Sequence, residues 1–491
     1  MPSWLNLDNK HNFSLRSYDF LWLSLALLPL LVVSFLLPLK PYDYWWYLRV
    51  GQETLQAGLI PQVDTLSFTR AGQPVVYHSW LAAVLLWLTY KAGGFSLTFL
   101  LRALALGLTY GLVYSLNRNT GSGAKISALL TILAGLAGSN NWGVRPQILV
   151  YPLFLLALWI LWQWQMGQGK NLWLLPLITL LWVNLHGSFP LFFVLAGTAL
   201  LLGAGERKKL GFWFALSLAA TLLNPRAAGV WSYVVNMLSA ASNQQFSNEW
   251  AFPVNAGWQM NIFFSWLLLF GILAANSSRR LTRLEWCWYL GFGWMALSGV
   301  RYVIWFLLLI GPLTAILFSG WQAGERPPQK MFPMTNILLA GMLLLLPLAL
   351  LPGLRERWWP DAPLPYDPVS TPVAAAEWLT THPELPGPLW SDFGFSSYLD
   401  FALPSRPVWI DTRFEVYPVE QWQQYIVIAR AEPGWEGLLE SENINLLMVS
   451  PAGQPRLIEA VSALDEWCGS YRDTHVVIFA RRASGKNCGA D

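Results

Sequence analysis

Apolar runs of about 20 residues recur along this chain between Phe20 and Pro352. A run of that length crosses the hydrocarbon core as one helix, the structure that satisfies its own backbone polar groups in lipid. The repetition confines the chain to a polytopic helical bundle. Composition agrees: 55% of the 491 residues are hydrophobic and 12% charged, with a mean hydropathy of +0.39, far from the balance of a soluble domain. Spans are expected at 20–39, 96–116, 124–140, 148–166, 172–189, 190–205, 210–225, 259–276, 285–301, 302–320 and 334–352. The 30 Trp and 17 Tyr cluster at the ends of these runs and read mostly as interfacial anchors.

Lys and Arg collect on the cytoplasmic side of such proteins. Lys10 and Arg16, Arg118 and Lys125, Lys170, Arg207 to Lys209, Arg279, Arg280 and Arg283, then Arg326 and Lys330 all fall in alternate connectors. This places residues 1–19 in the cytoplasm, followed by a first span that acts as a retained signal anchor. The segment 79–93 is apolar but short, with Lys91 inside it, and reads as an interfacial or re-entrant helix in a long first external loop, 40–95. If it spans instead, the parity downstream inverts. The net charge of +3 is small and dispersed, which excludes a nucleic-acid partner.

The membrane part is expected over 20–352 and a soluble, extracytoplasmic α/β domain over 353–491, where Pro and charge return and apolar blocks shorten. Helices are predicted at 373–381, 420–430 and 454–464, and strands at 388–391, 407–410, 444–450 and 475–480, the alternation of a small α/β sandwich. Cys468 and Cys488 lie there; an oxidising compartment allows a disulfide between them, with free thiols as the plainer reading, and Cys287 falls in a span and reads as packing.

The polar residues hardest to explain as solubility gather in the external connectors and at span ends: Asp43, Arg49, Asp64, His78, Asn140, Asn141, Arg145, Gln147, Asn184, His186, Asn224, Glu249 and Arg301. Such groups are costly near the bilayer unless they pair or line a wet cavity. Their common sidedness predicts a polar cavity opening outward.

The ordered motifs DYWWYLRVG (43–51), IPQVDTLSFT (60–69), VVYHSWLA (75–82), GVRPQ (143–147), VNLHGSF (183–189), LLNP (222–225) and NEW (248–250) resemble bacterial polytopic proteins related to the C-type (GT-C) glycosyltransferases. The resemblance implies a GT-C-like membrane bundle in the plasma (inner) membrane. It also implies a polyprenyl-phosphate-linked sugar donor, a glycan, lipid or protein acceptor, and a catalytic carboxylate in the first external loop, where Asp43 stands.

A sugar esterified through its anomeric carbon to a lipid phosphate needs a base for the acceptor hydroxyl and cations for the departing phosphate. Asp43 is the candidate base and His186 a second catalytic candidate. Arg145 and Arg301, whose guanidinium forks match phosphate oxygens, are donor-phosphate candidates together with Arg49. Acceptor or sugar contacts are assigned to Asp64, His78, Gln147, Asn184, Glu249 and Trp250, the last two forming a lid. In the C-terminal region LWSDFG (389–394) is similar to the motif with which oligosaccharyltransferases hold the acceptor peptide, which adds Trp390 and Asp392, although Ser391 replaces a Trp. Asp411 and Arg413, at the carboxyl end of a predicted strand, fit a ligand crevice or an internal pair that fixes a loop.

Oligosaccharyltransferases of the superfamily use a divalent cation held by several carboxylates, whereas many monosaccharide-transferring relatives need none. Asp43 is followed by Tyr44-Trp45 rather than by a second carboxylate, so no cofactor is expected; Asp64 or Glu249 is the partner if a cation binds. A transporter or a non-catalytic protein handling lipid-linked glycans has the same general architecture, but a transporter ordinarily carries internal repeats, and the two halves show no convincing one.

Overall fold

The computed structural model describes residues 17–41, 43–321 and 332–482. The expectations for Lys10, Arg16, Arg326, Lys330 and Cys488 lie outside these residues. The first apolar run forms α1 (Ser17–Leu36), and the aromatic stretch after it forms a separate helix, α2 (Tyr44–Ala57). The 79–93 segment and the following span form one helix, α3 (Trp80–Asn119), broken at Gly93 and Gly94. Gly94 adopts φ +55°, ψ −138°, backbone that only glycine takes without strain. The break therefore falls at the boundary between interfacial helix and span that the sequence predicts.

Then follow α4 (Ala124–Ala137), α5 (Pro146–Gln165), α6 (Leu174–Leu185), α7 (Pro190–Leu202) and α8 (Arg207–Ala220). Two short helices, α9 (Gly229–Ser239) and α10 (Ala241–Phe246), occupy the next connector. The apolar series closes with α11 (Gly257–Asn276), α12 (Arg283–Ser298), α13 (Val303–Ser319) and α14 (Pro333–Leu345). Each predicted span thus coincides with a helix, yet among the described residues six helices are long and apolar enough to cross a membrane. At ~1.5 Å per residue, helices such as α6 and α7 fall short of a ~30 Å core. Helix length and composition thus support a multi-pass membrane protein and do not confirm the count of eleven spans. Leu268 and Trp294 are among many large apolar side chains exposed on the bundle exterior, as lipid contact requires.

Two devices fix the turn between α1 and α2. Arg102, buried in α3, donates to the carbonyls of Ser34 and of Leu37 (2.7 Å) at the end of α1, satisfying carbonyls the helix cannot. Leu39 exchanges backbone hydrogen bonds with Pro365 and Asp367 (both 2.9 Å). Gly51 lets α2 lie directly on α3, because a Cβ there would come within 2.2 Å of the Ala83 carbonyl oxygen. Tyr44, Trp45, Trp46 and Tyr47 are buried, with Trp45 packed against Phe95, Tyr398 and Phe401. These rings correct the expectation of interfacial anchors: they cement α2 to α3 and to the C-terminal part.

That part begins with α15 (Pro352–Trp358) and α16 (Val373–Thr381), then alternates β1 (Leu389–Ser391), α17 (Phe393–Ala402), α18 (Val419–Ala429), α19 (Trp435–Ser441), β2 (Leu446–Val449), α20 (Pro455–Ser462), β3 (Trp467–Arg472) and β4 (Val477–Arg481). The sheet order is β1-β2-β4-β3, with β1 parallel to β2 and the other pairs antiparallel. Side chains alternate between two cores: Trp390, Leu447, Val449, Val477 and Phe479 face one, and Leu389, Leu446, Met448, Ile478 and Ala480 the other. Both faces of the sheet are therefore covered. The predicted strand 407–410 makes isolated bridges through Val408 to Leu389 and to Ser67 of the first loop. Strand β3 escapes prediction because WCGSYR lacks apolar alternation. Cys468 in β3 is disulfide-bonded and Cys287 is free.

Candidate active site

Helix ends and connectors converge on a cavity of about 520 Å³. Asp43 precedes the first turn of α2 and its side chain makes no capping hydrogen bond, so the carboxylate is available to the cavity. Arg145 precedes Pro146 at the start of α5 with extended backbone (φ −135°, ψ 161°), the geometry that a following proline imposes. His186 terminates α6, and Arg301 lies in a 3₁₀ turn (Val300–Tyr302) ahead of α13. Glu249 and Trp250 arrive on another 3₁₀ turn, Asn248–Trp250. From the C-terminal part come Thr412 and Glu415.

The carboxylate of Asp43 accepts from the Thr412 hydroxyl (3.1 Å) and from Trp46 Nε1 (3.4 Å) on Oδ1, and Oδ2 lies 3.5 Å from Arg145 Nε. Arg145 makes its closer ion pair with Glu249 through Nη1. The guanidinium thus leans toward Glu249. Burial raises the Asp43 pKa above the ordinary carboxylate value; Arg145 opposes the rise and the Glu249 charge adds to it. Burial also pushes Glu249 upward, but Arg145 and Arg301 outweigh it and hold Glu249 low. Two carboxylates on one arginine are driven apart, and Asp43 is the more basic.

Arg301 rests over the Trp250 ring, 4.4 Å from its centroid, and the Val300 N–H donates to the Ala251 carbonyl (2.9 Å). Together with the Arg145–Glu249 pair, these contacts hold the 248–250 turn across the cavity. The Ser188 N–H donates to His186 Nδ1 (3.1 Å), and Ser188 Oγ lies 2.8 Å from the same nitrogen. Nδ1 must accept, so a neutral ring carries its proton on Nε2. His78 stacks on Tyr233 (centroids 4.5 Å apart) and meets His186 edge-on (6.3 Å).

Of the residues singled out by sequence, Asp43, His78, Arg145, Gln147, His186, Glu249, Trp250, Arg301 and Arg413 line this cavity. The others do not. Arg49 turns to Glu53 (2.7 Å), one turn along α2. Asn184 is buried, accepting from Trp80 Nε1 (2.9 Å) and donating to the Leu180 and Leu223 carbonyls. Trp390 is buried against Tyr425 (5.2 Å), and Asp392 caps α17 by accepting from the Gly394 N–H (2.7 Å). Asp64 and Asp411 are buried on either side of Arg413, which donates to Asp64 (2.6 Å), to Tyr77 Oη (2.9 Å) and to Asp411 Oδ2 (2.5 Å) and Oδ1 (3.0 Å). The internal-pair reading of Asp411 and Arg413 describes this cluster. Sequence reasoning missed Tyr233, Thr412 and Glu415; Thr412 stood in view inside the Asp411-Thr412-Arg413 motif. Among the described residues no group of three or more His, Cys, Asp or Glu side chains is arranged to hold a metal ion.

No protein-family model matches the chain, and no curated protein matches it by sequence. The fold is similar to that of the Archaeoglobus fulgidus oligosaccharyltransferase, both tethered with an acceptor peptide containing the NVT sequon and in the apo form. The first comparison has a TM-score of 0.56 at 12% identity, covering 95% of this chain and 74% of that one; the second has 0.51 at 11%, covering 94% and 75%. It is also similar to the arabinofuranosyltransferase AftD from mycobacteria (TM-score 0.54, 14% identity), where the match covers 94% of this chain but 41% of the other. The chain shares its overall fold with these solved structures.

Proposed function

We propose that this protein is a membrane glycosyltransferase that moves a sugar from a polyprenyl-phosphate donor to an acceptor hydroxyl on the extracytoplasmic face. The observation that carries the reading is Asp43: a carboxylate left out of helix capping, raised in pKa by burial, on the wall of a cavity that also holds two arginines. In the reaction the acceptor oxygen attacks the anomeric carbon and its proton passes to Asp43. The bond between that carbon and the phosphate oxygen breaks, and the electron pair leaves with the polyprenyl phosphate. A single displacement of this kind inverts the anomeric centre.

Arg301 and Arg145 are the cations for the leaving phosphate, and His186 offers its Nε2–H to the same group or to a sugar hydroxyl. A raised carboxylate pKa suits a base, since proton affinity closer to working pH strengthens general-base catalysis. The pull of Glu249 on Arg145 preserves that basicity. The scheme calls for no divalent cation. Residues 353–491 are taken as an extracytoplasmic domain that closes the cavity through Thr412. The test is release of free polyprenyl phosphate by the purified, folded protein given a polyprenyl-phosphate sugar, with Asp43→Asn as the variant. Failure of the wild type to bind any such donor removes the enzyme reading altogether.

A further inference from the structure

Glu415 reaches the cavity three residues after Thr412 and has no part in the scheme above. Its Oε1 accepts from the Tyr233 hydroxyl (3.3 Å), and the Tyr233 ring stacks on His78 with 28° between planes. The side chain is exposed where it lines the cavity. Its position is nonetheless fixed, because Arg413, two residues earlier, is locked to Asp64, Asp411 and the Tyr77 hydroxyl. Tyr77 is the neighbour of His78. One buried clamp therefore sets both the carboxylate and the ring pair opposite it. Desolvation by the surrounding cavity walls, then the Asp43 charge, raise the Glu415 pKa, so this second carboxylate lies within electrostatic reach of the base.

The segment whose sequence suggests a peptide clasp is meanwhile occupied by the fold itself. Trp390 is fully buried and stacked on Tyr425. The oxygens of Asp392 receive the Gly394 N–H (2.7 Å) and Gln454 Nε2 (2.5 Å). Neither residue lines the cavity, and acceptor recognition must use other groups.

We infer that Glu415, with the Tyr233–His78 ring pair, forms a saccharide-binding subsite, so that the acceptor is a glycan hydroxyl rather than a peptide. The inference rests on the glycosyltransferase reading and deepens it. A carboxylate accepts hydrogen bonds from two neighbouring sugar hydroxyls, and an aromatic face covers the apolar C–H side of a sugar ring. A neutral imidazole adds one donor and one acceptor; burial and Arg301 depress the His78 pKa to about 3 and keep that ring neutral. Glu415 adds no chemical step. It sets which sugar lies with a hydroxyl at Asp43.

The experiment is a saturation-transfer NMR titration of the full-length protein in nanodiscs. The probes are methyl α- and β-glycosides of glucose, galactose, mannose and arabinofuranose, with a blocked Asn-Val-Thr tripeptide alongside. The wild type is expected to bind at least one glycoside and not the peptide. Glu415→Ala raises the Kd of the best glycoside at least tenfold, and Glu415→Gln, which keeps the side chain's shape and secures a folded comparison, gives an intermediate loss. Glu440→Ala, on the exposed surface, binds as the wild type does. The inference is overturned if both Glu415 variants bind with wild-type affinity, or if the wild type binds no glycoside. The titration uses no donor, so its failure is distinct from a failure of the Asp43 turnover assay.

Discussion

Two clusters of carboxylates and arginine lie close together in this protein and behave in opposite ways. In the Asp64–Arg413–Asp411 cluster every member is buried, and Tyr77, Tyr417 and Ser67 complete the hydrogen bonding. Burial pushes the Asp64 pKa upward, but the Arg413 charge and hydrogen bond outweigh it and hold the carboxyl low. A depressed folded pKa gives stability that is present above the unfolded value and is lost as pH falls through the folded one. In the Asp43–Arg145–Glu249 cluster the side chains keep 26%, 20% and 39% exposure, Asp43 lies 3.5 Å from the Arg145 guanidinium, and its pKa rises. The same residue types therefore make a fastener where water is excluded and a reactive centre where a cavity admits it.

Breaking the dry cluster has the largest expected effect. Arg413→Ala leaves two buried carboxylates without a cation, a loss of about 3–5 kcal/mol, read by denaturant unfolding of the detergent-solubilised protein. The wet cluster responds in kinetics instead. Thr412→Val removes one hydrogen bond to Asp43, worth about 1 kcal/mol, and is expected to slow sugar transfer several-fold while leaving the unfolding curve close to that of the wild type. Asp43 acts as a carboxylate, so activity is present above its pKa and lost as pH falls through it. Because the Thr412 bond lowers that pKa, Thr412→Val moves the acid limb of the pH–rate profile to higher pH. Glu249→Gln moves it to lower pH, since it removes a charge that raises the Asp43 pKa and releases Arg145 to pair with Asp43. Opposite shifts from two neighbours of one carboxylate are the sharpest kinetic signature of the comparison. A chelator is expected to change the transfer rate not at all.

The membrane part was legible wherever one physical requirement dominates. Burial in lipid demands apolar length, so each predicted span marks a helix, and Gly93-Gly94 announces the break in α3. Span count was not legible, because helices such as α6 and α7 are apolar without the length to cross alone. Asp43, Arg145, His186, Glu249 and Arg301 were readable as polar groups at costly positions. Asp64 and Arg413 share that signal, and only the fold separates them, by pairing Leu66 and Phe68 of the first loop with Val408. Tyr233 and Glu415 gave no local signal: a tyrosine in a short helix and a glutamate in a 3₁₀ turn (Phe414–Val416) become neighbours through a contact 182 residues apart in sequence.

The most direct measurement pairs Asp43→Asn with Asp64→Asn, recording for each the rate of polyprenyl-phosphate release and the unfolding midpoint. Asp43→Asn is expected to lose a general base, about 10²–10⁴-fold in rate, with an unchanged midpoint, while Asp64→Asn lowers the midpoint. Donor cleavage surviving in Asp43→Asn within a few-fold of the wild type contradicts the account.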